Sequence, residues 1–292
     1  MTRHPLRSAV REAENVLASA GVASPRVDAE LLAAHVVGVP RGRLIMVPLV
    51  DEPVLERYRE LVERRAAREP LQHLLGTAVF GPVTLAVGPG VFTPRPETEL
   101  LLEWGLKTIA DVTTPLVVDL CTGSGALALG VAAARPDATV HAVEVDPAAF
   151  AWARRNVETH VAAGGTPVTV HAADVREADL LPELRTRVDL LLCNPPYVPD
   201  GTPVPPEVAD WDPPGAVFGG PDGLEIIRAV VTAASALLRP GGALGIEHDD
   251  THADAMPDLL RGCPALADVE EHADLAGRPR FATAHRIRSA AS

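Results

Sequence analysis

The sequence predicts an α/β protein in two parts: a small helical bundle, then a larger domain built on a mostly parallel sheet, joined by a β-hairpin. Three observations carry this. After Pro115, apolar runs of strand length alternate with helical segments, the pattern of parallel strands linked by crossover helices. Before Glu69, three stretches show helical spacing of apolar residues. The 292 residues, 47% of them hydrophobic, are enough to bury a large core and to divide into two domains.

Taken in order, Leu6 to Ala20 reads as a helix with Val10, Ala13 and Leu17 on one face, ended by Gly21. Ser24-Pro25 gives a cap residue and a proline at the first helical position of a second helix, which stops at Gly38. A third helix begins at Asp51-Glu52-Pro53, and its many Arg and Glu side chains are read as a solvated face. From Pro70 to Val91, glycines punctuate short β-branched runs, which predicts a hairpin. Thr93-Pro94-Arg95-Pro96-Glu97-Thr98-Glu99 then leads into a helix to about Ile109, with Thr98 as its cap. Strands follow at Leu116–Leu120, Thr139–Val143, Val168–His171, Val188–Cys193, Ala243–Ile246, Asp268–Glu271 and Phe281–Arg286, with helices at Ala126–Ala134, Pro147–His160, Leu224–Leu238 and near Ala253–Leu260. The expected domains are 1–69 (helical), 70–95 (hairpin linker) and 96–292 (sheet domain).

Composition excludes several classes. No apolar run spans a bilayer, and the polar stretch Met1 to Arg11 is no signal peptide. The three cysteines are widely spaced and form no CxxC pair, so neither a disulfide framework nor a zinc site is expected, and a reduced, cytoplasmic protein is inferred. The net charge is −13 and Lys107 is the only lysine, which argues against a protein that grips long nucleic acid. A protein partner or a small substrate fits better. His248 with Glu247, Asp249 and Asp250 suggests a metal site, but its place just after a strand favours a solvated strand end.

Two stretches carry chemistry. Asp119-Leu120-Cys121-Thr122-Gly123-Ser124-Gly125 is a Gly-rich turn at the end of a strand, and a carboxylate, Glu144, ends the next strand. Glycines let backbone approach a ligand, and a strand-end acid accepts from a ribose diol. Asp174, after the third strand, is placed to accept from an adenine amino group. No lysine follows Gly125, so the turn is no triphosphate loop, and it lacks the third glycine that a dinucleotide prefers. S-adenosyl-L-methionine fits this set. The second stretch is Asn194-Pro195-Pro196-Tyr197, at the end of a buried strand. Its prolines remove two backbone donors, so the turn offers carbonyl oxygens, a side-chain amide and a flat ring to a planar group rich in N–H donors. A side-chain amide and the exocyclic amine of adenine both answer that description. A protein that keeps only the fold is the third reading, disfavoured by an intact turn beside an intact tetrad.

These two stretches, with Ala23-Ser24-Pro25-Arg26-Val27-Asp28-Ala29-Glu30-Leu31-Leu32, Glu69-Pro70-Leu71-Gln72-His73-Leu74-Leu75-Gly76 and Thr93 to Glu99, occur in an order in which the chain resembles the HemK/PrmC family along nearly its whole length. The resemblance implies a Rossmann-like, seven-stranded class I methyltransferase domain, its last strand antiparallel, behind an N-terminal domain that docks the substrate. It implies methyl transfer from S-adenosyl-L-methionine to the N5 amide of the glutamine in the GGQ motif of class 1 peptide chain release factors, supporting translation termination. It further implies a cofactor site of Asp119, Cys121, Thr122, Gly123, Ser124, Gly125, Glu144, Asp174, Val175 and Asn194, and catalytic roles for Asn194, Pro195, Pro196 and Tyr197. Cys121 stands where many members have glycine, Glu144 where aspartate is more familiar, and Asp212-Pro213 where Glu-Pro is common. No metal, membrane contact or stable nucleic-acid complex is expected, and the chain is expected to act as a monomer.

Overall fold

The structure is a computed structural model that describes residues 3–288; the expected domain limits at 1 and 292 lie outside the described residues. Two compact units emerge, one of residues 3–77 with 204–211, the other of 78–203 with 212–288.

In the first unit, strand β1 (Arg3–Pro5) leads into helix α1 (Leu6–Ser19). Helix α2 (Pro25–Val37) follows and ends on left-handed Gly38. Strand β2 (Leu49–Asp51) pairs antiparallel with β1, and helix α3 (Glu52–Ala66) and the short α4 (Leu71–Leu75) complete the N-terminal run. The apolar stripes of α1, α2 and α3 meet in one core that includes Leu17, Leu32, Leu55 and Tyr58. The β1–β2 pair was not foreseen, because three-residue strands have no readable period.

The Arg/Glu face of α3 is not wholly solvated. Arg65 is buried and donates to Asp28 Oδ2 at 2.8 Å, to the Glu69 carbonyl at 3.1 Å and to Glu207 Oε1 at 3.0 Å. Arg68 donates to the other Glu207 oxygen at 2.5 Å. Glu207 comes from residues far along the chain, so local pattern could not show that Arg65 is enclosed.

In the second unit, β3 (Thr77–Phe80) and β4 (Val83–Ala86) form a two-stranded sheet. Helix α5 (Thr98–Thr108) precedes the alternating run β5 (Leu116–Leu120), α6 (Ala126–Ala134), β6 (Thr139–Glu144), α7 (Pro147–Ala162), β7 (Val168–Ala172) and β8 (Val188–Cys193). Short helices α8 (Pro206–Trp211) and α9 (Pro214–Val217) interrupt the Pro-rich loop, α8 belonging to the first unit. Then come α10 (Glu225–Leu237), β9 (Leu238–Glu247), α11 (Ala255–Arg261), β10 (Leu266–Ala273) and β11 (Pro279–Arg286).

The main sheet has seven strands in the order β10-β11-β9-β8-β5-β6-β7. Strand β11 is antiparallel to both neighbours, while β9, β8, β5, β6 and β7 are mutually parallel. Its central strands β5, β6, β8 and β9 are largely buried, with side chains in cores on both faces. One core forms with α10 and α11, the other with α5, α6, α7 and the β3–β4 hairpin. The order reverses between β5 and β8, so connections leave in opposite directions there and a crevice opens at the carboxyl ends of these two strands.

Candidate active site

Strand register assembles the site. Leu120 lies opposite Val143 and Cys193, Glu144 opposite Ala172, and Cys193 opposite Ile246. The residues next in sequence, Cys121 and Asn194, leave neighbouring strands at the same carboxyl edge, where Glu144 and Glu247 end β6 and β9. Segments far apart in sequence thus end at one edge of the sheet, at its switch point.

The turn is shaped by backbone in the left-handed region. Cys121 has φ 57°, Gly123 φ 57° and Gly125 φ 87°. Gly123 N–H donates to Glu144 Oε2 at 2.8 Å, and Asp146 N–H to Glu144 Oε1 at 2.9 Å. Burial pushes the Glu144 carboxyl up, partly offset by these backbone donors. Each Glu144 oxygen keeps further acceptor capacity. A Cβ at Gly123 would meet nothing within 4 Å, so the turn faces open space that a ligand can fill. A carboxylate beside an open Gly turn fits an adenosine diol, which donates two hydrogen bonds; the described turn presents no cation for a triphosphate.

The remaining residues expected at the cofactor occupy varied places. Asp119 is buried beneath the turn; its Oδ2 accepts from Thr122 Oγ1 at 2.5 Å and from Ala128 N–H at 3.1 Å, tying the turn to the first turn of α6. Burial pushes it up to about 7. Its contacts hold the turn together. Ser124 is buried, and its carbonyl accepts from Asn156 Nδ2 at 2.9 Å. Asn156 also closes two bonds with the backbone of Ala86, so one α7 side chain anchors the turn and β4 together. Sequence reading missed Asn156, which sits unremarkably within a helix. Asp174 lies two residues past β7 and is engaged by Arg176 at 2.6 Å; Val175 beside it is buried.

The tetrad leaves β8 with Pro195 and Pro196 buried and with Asn194 and Tyr197 part-buried. Asn194 Nδ2 donates to Thr98 Oγ1 at 3.1 Å, and the Tyr197 hydroxyl donates to Glu247 Oε1 at 3.1 Å. Burial and the Glu247 charge hold the Tyr197 phenol well above its ordinary range, so it stays protonated. Burial pushes Glu247 up to about 7, against the Thr98 and Tyr197 hydroxyls and Arg280, which favour its charged form. Thr98 was expected to cap α5. It is instead the first helical residue and turns its hydroxyl to the tetrad, while Glu97 takes the cap position without a side-chain cap bond. Arg95 lies over the Phe92 ring and pairs with the buried Asp212 at 2.7 Å, so the Pro-Arg-Pro segment is pinned within its own unit.

The loop after Tyr197 returns to it. Val198 N–H donates to the Val217 carbonyl, and Gly219 N–H to that of Val198, both at 2.9 Å. A Cβ on Gly219 would stand 2.5 Å from the Pro196 carbonyl oxygen and 2.6 Å from that of Gly223. Neither is the end of a flexible side chain. Gly219→Ala should therefore displace the tetrad backbone and lower kcat while costing about 1–3 kcal/mol of stability, checked by steady-state kinetics and chemical denaturation.

His248 departs from the solvated strand end expected of it. It is fully buried, with Nε2 3.0 Å from Glu271 Oε1 and Nδ1 2.8 Å from the Asp249 carbonyl. The β10–β11 pair supplies that cover, and strand-end polarity alone could not foretell it. Among the described residues no group of three His, Cys, Asp or Glu side chains is arranged to hold a metal, and no helix is long and apolar enough to cross a membrane. Cys121, Cys193 and Cys263 are free thiols.

Comparison with known proteins agrees with this geometry. Residues 8–76 match the PrmC N-terminal domain family, and residues 83–206 the methyltransferase small domain family. The chain resembles a solved Thermus thermophilus 16S rRNA N2 G1207 methyltransferase in complex with AdoMet and guanosine, with a TM-score of 0.51 and 24% identity over 72% of this chain and 49% of that one. That likeness identifies the sheet domain as a class I methyltransferase fold. The release factor glutamine methyltransferase of Mycolicibacterium smegmatis is 54% identical over 98% of this chain and 99% of its own length. That of Mycobacterium tuberculosis H37Rv is 50% identical over 96% and 91%, and that of Streptomyces coelicolor 47% identical over 96% and 98%. Identity at this level over almost the full length of both chains leaves one assignment: the chain belongs to the release factor glutamine methyltransferase family.

Proposed function

We propose that this enzyme transfers a methyl group from S-adenosyl-L-methionine to the side-chain N5 of the glutamine in the GGQ motif of class 1 peptide chain release factors, in the cytoplasm, as a monomer. The observation that supports the reading is the parallel register that sets Leu120 between Val143 and Cys193, so that the Gly-rich turn, Glu144 and the tetrad all follow neighbouring strand ends at the switch point. Cofactor turn and amide-binding tetrad then share one crevice.

The Gly-rich turn and Glu144 would hold the nucleoside, with Asp174 and Val175 at its base. Cys121, Thr122, Ser124 and Asp119 shape the turn. When bound, the cofactor supplies an activated methyl group on a sulfonium. The work left to the protein is to present a poor nucleophile, because an amide nitrogen shares its lone pair with its carbonyl. Asn194 Oδ1 and the Pro195 carbonyl would each accept one N–H of the substrate amide. Two fixed acceptors aim the nitrogen and favour positive charge developing on it. Pro196 fixes the turn, and Tyr197 packs on the amide plane. The bundle of residues 1–69 would dock the body of the release factor, with residues 70–95 linking it to the methyltransferase domain of 96–292.

The test is incubation with methyl-labelled S-adenosyl-L-methionine and purified release factor, a release factor whose GGQ glutamine is alanine, DNA, or RNA. Label on the intact release factor alone is expected. Label confined to nucleic acid would overturn the reading.

A further inference from the structure

The back of the tetrad rests on a tight turn, Gly219 to Leu224, built where the loop after Tyr197 comes home. Asp200 N–H and Gly223 N–H both donate to the Gly220 carbonyl at 3.0 Å, and Glu225 N–H donates to that of Gly219 at 3.0 Å. Gly220 and Gly223 have φ 91° and 72°, in the left-handed region. A Cβ on Gly223 would collide with the Tyr197 carbonyl oxygen and stand 2.8 Å from His252 Cε1. The turn, the tetrad and the His252 ring therefore touch at this one glycine. With Gly219 against the Pro196 carbonyl, the turn backs two consecutive residues of the tetrad.

Two side chains fasten the turn to the rest of its unit. Arg228 of α10 reaches Asp222, with Nη1 3.2 Å from Oδ1 and Nη2 2.5 Å from Oδ2, but both side chains are about half exposed. An ion pair so open to water contributes little. The second fastener, His252, is buried, and its Nε2 lies 3.0 Å from the Asp222 carbonyl. A carbonyl only accepts, so Nε2 carries the hydrogen and donates. Nδ1 is buried and has no hydrogen-bond partner among the described residues, so the ring's hydrogen bonding goes entirely to the turn.

The His252 ring is itself held from the sheet. His252 closes a 3₁₀ turn, Asp250–His252, just past the end of β9. Asp249 caps that turn, accepting from Thr251 N–H at 3.0 Å and from Thr251 Oγ1 at 2.6 Å. The Asp249 carbonyl accepts from His252 N–H at 2.9 Å and lies 2.8 Å from Nδ1 of the buried His248, whose Nε2 faces Glu271 on β10. A chain of contacts thus runs from β10 through His248, Asp249 and His252 to the Asp222 carbonyl, Gly223 and the Tyr197 backbone.

We propose that His252 is a positioning residue for methyl transfer: its Nε2–H, bonded to the Asp222 carbonyl, holds the 219–223 turn against the tetrad and so fixes the depth at which the Pro196 and Tyr197 backbone, and with it the Tyr197 ring, stand. This rests on the reading of the tetrad given above. Without the donor the turn can draw back from the two carbonyls. Orientation of a poor nucleophile is sensitive to displacements of an ångström or less.

The experiment measures kcat, KM for release factor and cofactor Kd for the wild type, His252→Gln and His252→Met, well below the melting temperature of each. Glutamine keeps an N–H donor at the reach of Nε2, whereas methionine has the same length and no donor. His252→Met should lose kcat roughly tenfold or more, with cofactor Kd little changed, because the Gly-rich turn is not in the chain of contacts. His252→Gln should recover most of the rate. The Val198 and Gly219 amides, which pair the tetrad's exit with the loop, should exchange hydrogen faster in His252→Met than in the wild type or His252→Gln. If His252→Met does not fold, as circular dichroism would show, His252→Asn, whose donor stops short of the carbonyl, takes its place with the same expected loss. Wild-type kcat in a folded His252→Met or His252→Asn, or a loss in His252→Gln as large as in either, would overturn the inference. A wild type that transfers no methyl to release factor would defeat the functional reading instead, so the two failures are separable.

Discussion

Asn194→Ala should lower kcat for methyl transfer to release factor by about 1–3 kcal/mol, roughly 5- to 150-fold, with little change in cofactor Kd. The variant removes the side-chain amide acceptor of the tetrad. It leaves the flanking backbone, with its two prolines, to hold the Pro195 carbonyl in place. The partner left behind is the Thr98 hydroxyl, which loses a single part-buried bond from Nδ2, so folding should suffer less than catalysis. Single-turnover rates with saturating cofactor separate the two effects. Near-normal turnover would remove Asn194 from the proposed chemistry, whatever became of the family assignment.

Arg65→Ala should be the most destabilising single change in the first unit, by about 3–5 kcal/mol, read from the midpoint and slope of urea unfolding. The Arg65 side chain is only 8% exposed and sits between Asp28 and Glu207, themselves 10% and 17% exposed. Removing the cation leaves two part-buried carboxylates near one another with only Arg68 still paired to Glu207. Glu207→Ala should cost less, because Arg65 keeps Asp28 and the Glu69 carbonyl. A loss in Arg65→Ala no greater than in Glu207→Ala would show that the Asp28 pair contributes little.

Most of the sheet domain is legible in the sequence. Strands buried on both faces read as apolar runs, and β5, β6 and β8 begin and end within a residue of where those runs do. The site's two main stretches are also legible, since Gly123 and Gly125 and the Pro195-Pro196 pair are there for backbone geometry, which leaves a local signature. What could not be read are the contacts that hold those stretches. Thr98 resembles a helix cap, Asn156 an ordinary helical polar residue and Glu247 a strand-end acid beside a tempting histidine. Each acquires its role only when register brings it against a partner tens of residues away. The enclosure of Arg65 and of His248 failed to show for the same reason, and α8 and α9 are too short and too rich in proline to announce themselves.

The ion pair between Arg65 and Glu207 spans 142 positions of sequence. The first unit is therefore discontinuous: its N-terminal run ends near residue 77, but residues 204–211 complete it. On the ribosome, the bundle that emerges first cannot finish folding until some two-thirds of the chain has been made. Closing a loop of that length costs about 4 kcal/mol of chain entropy beyond a constant, a cost that the ordered strands within the loop reduce by holding its ends. The last contacts of the bundle thus form after β8, and the segment that carries them begins seven residues beyond Tyr197. Completion of the earliest-made helical bundle thus waits on the segment that follows the tetrad.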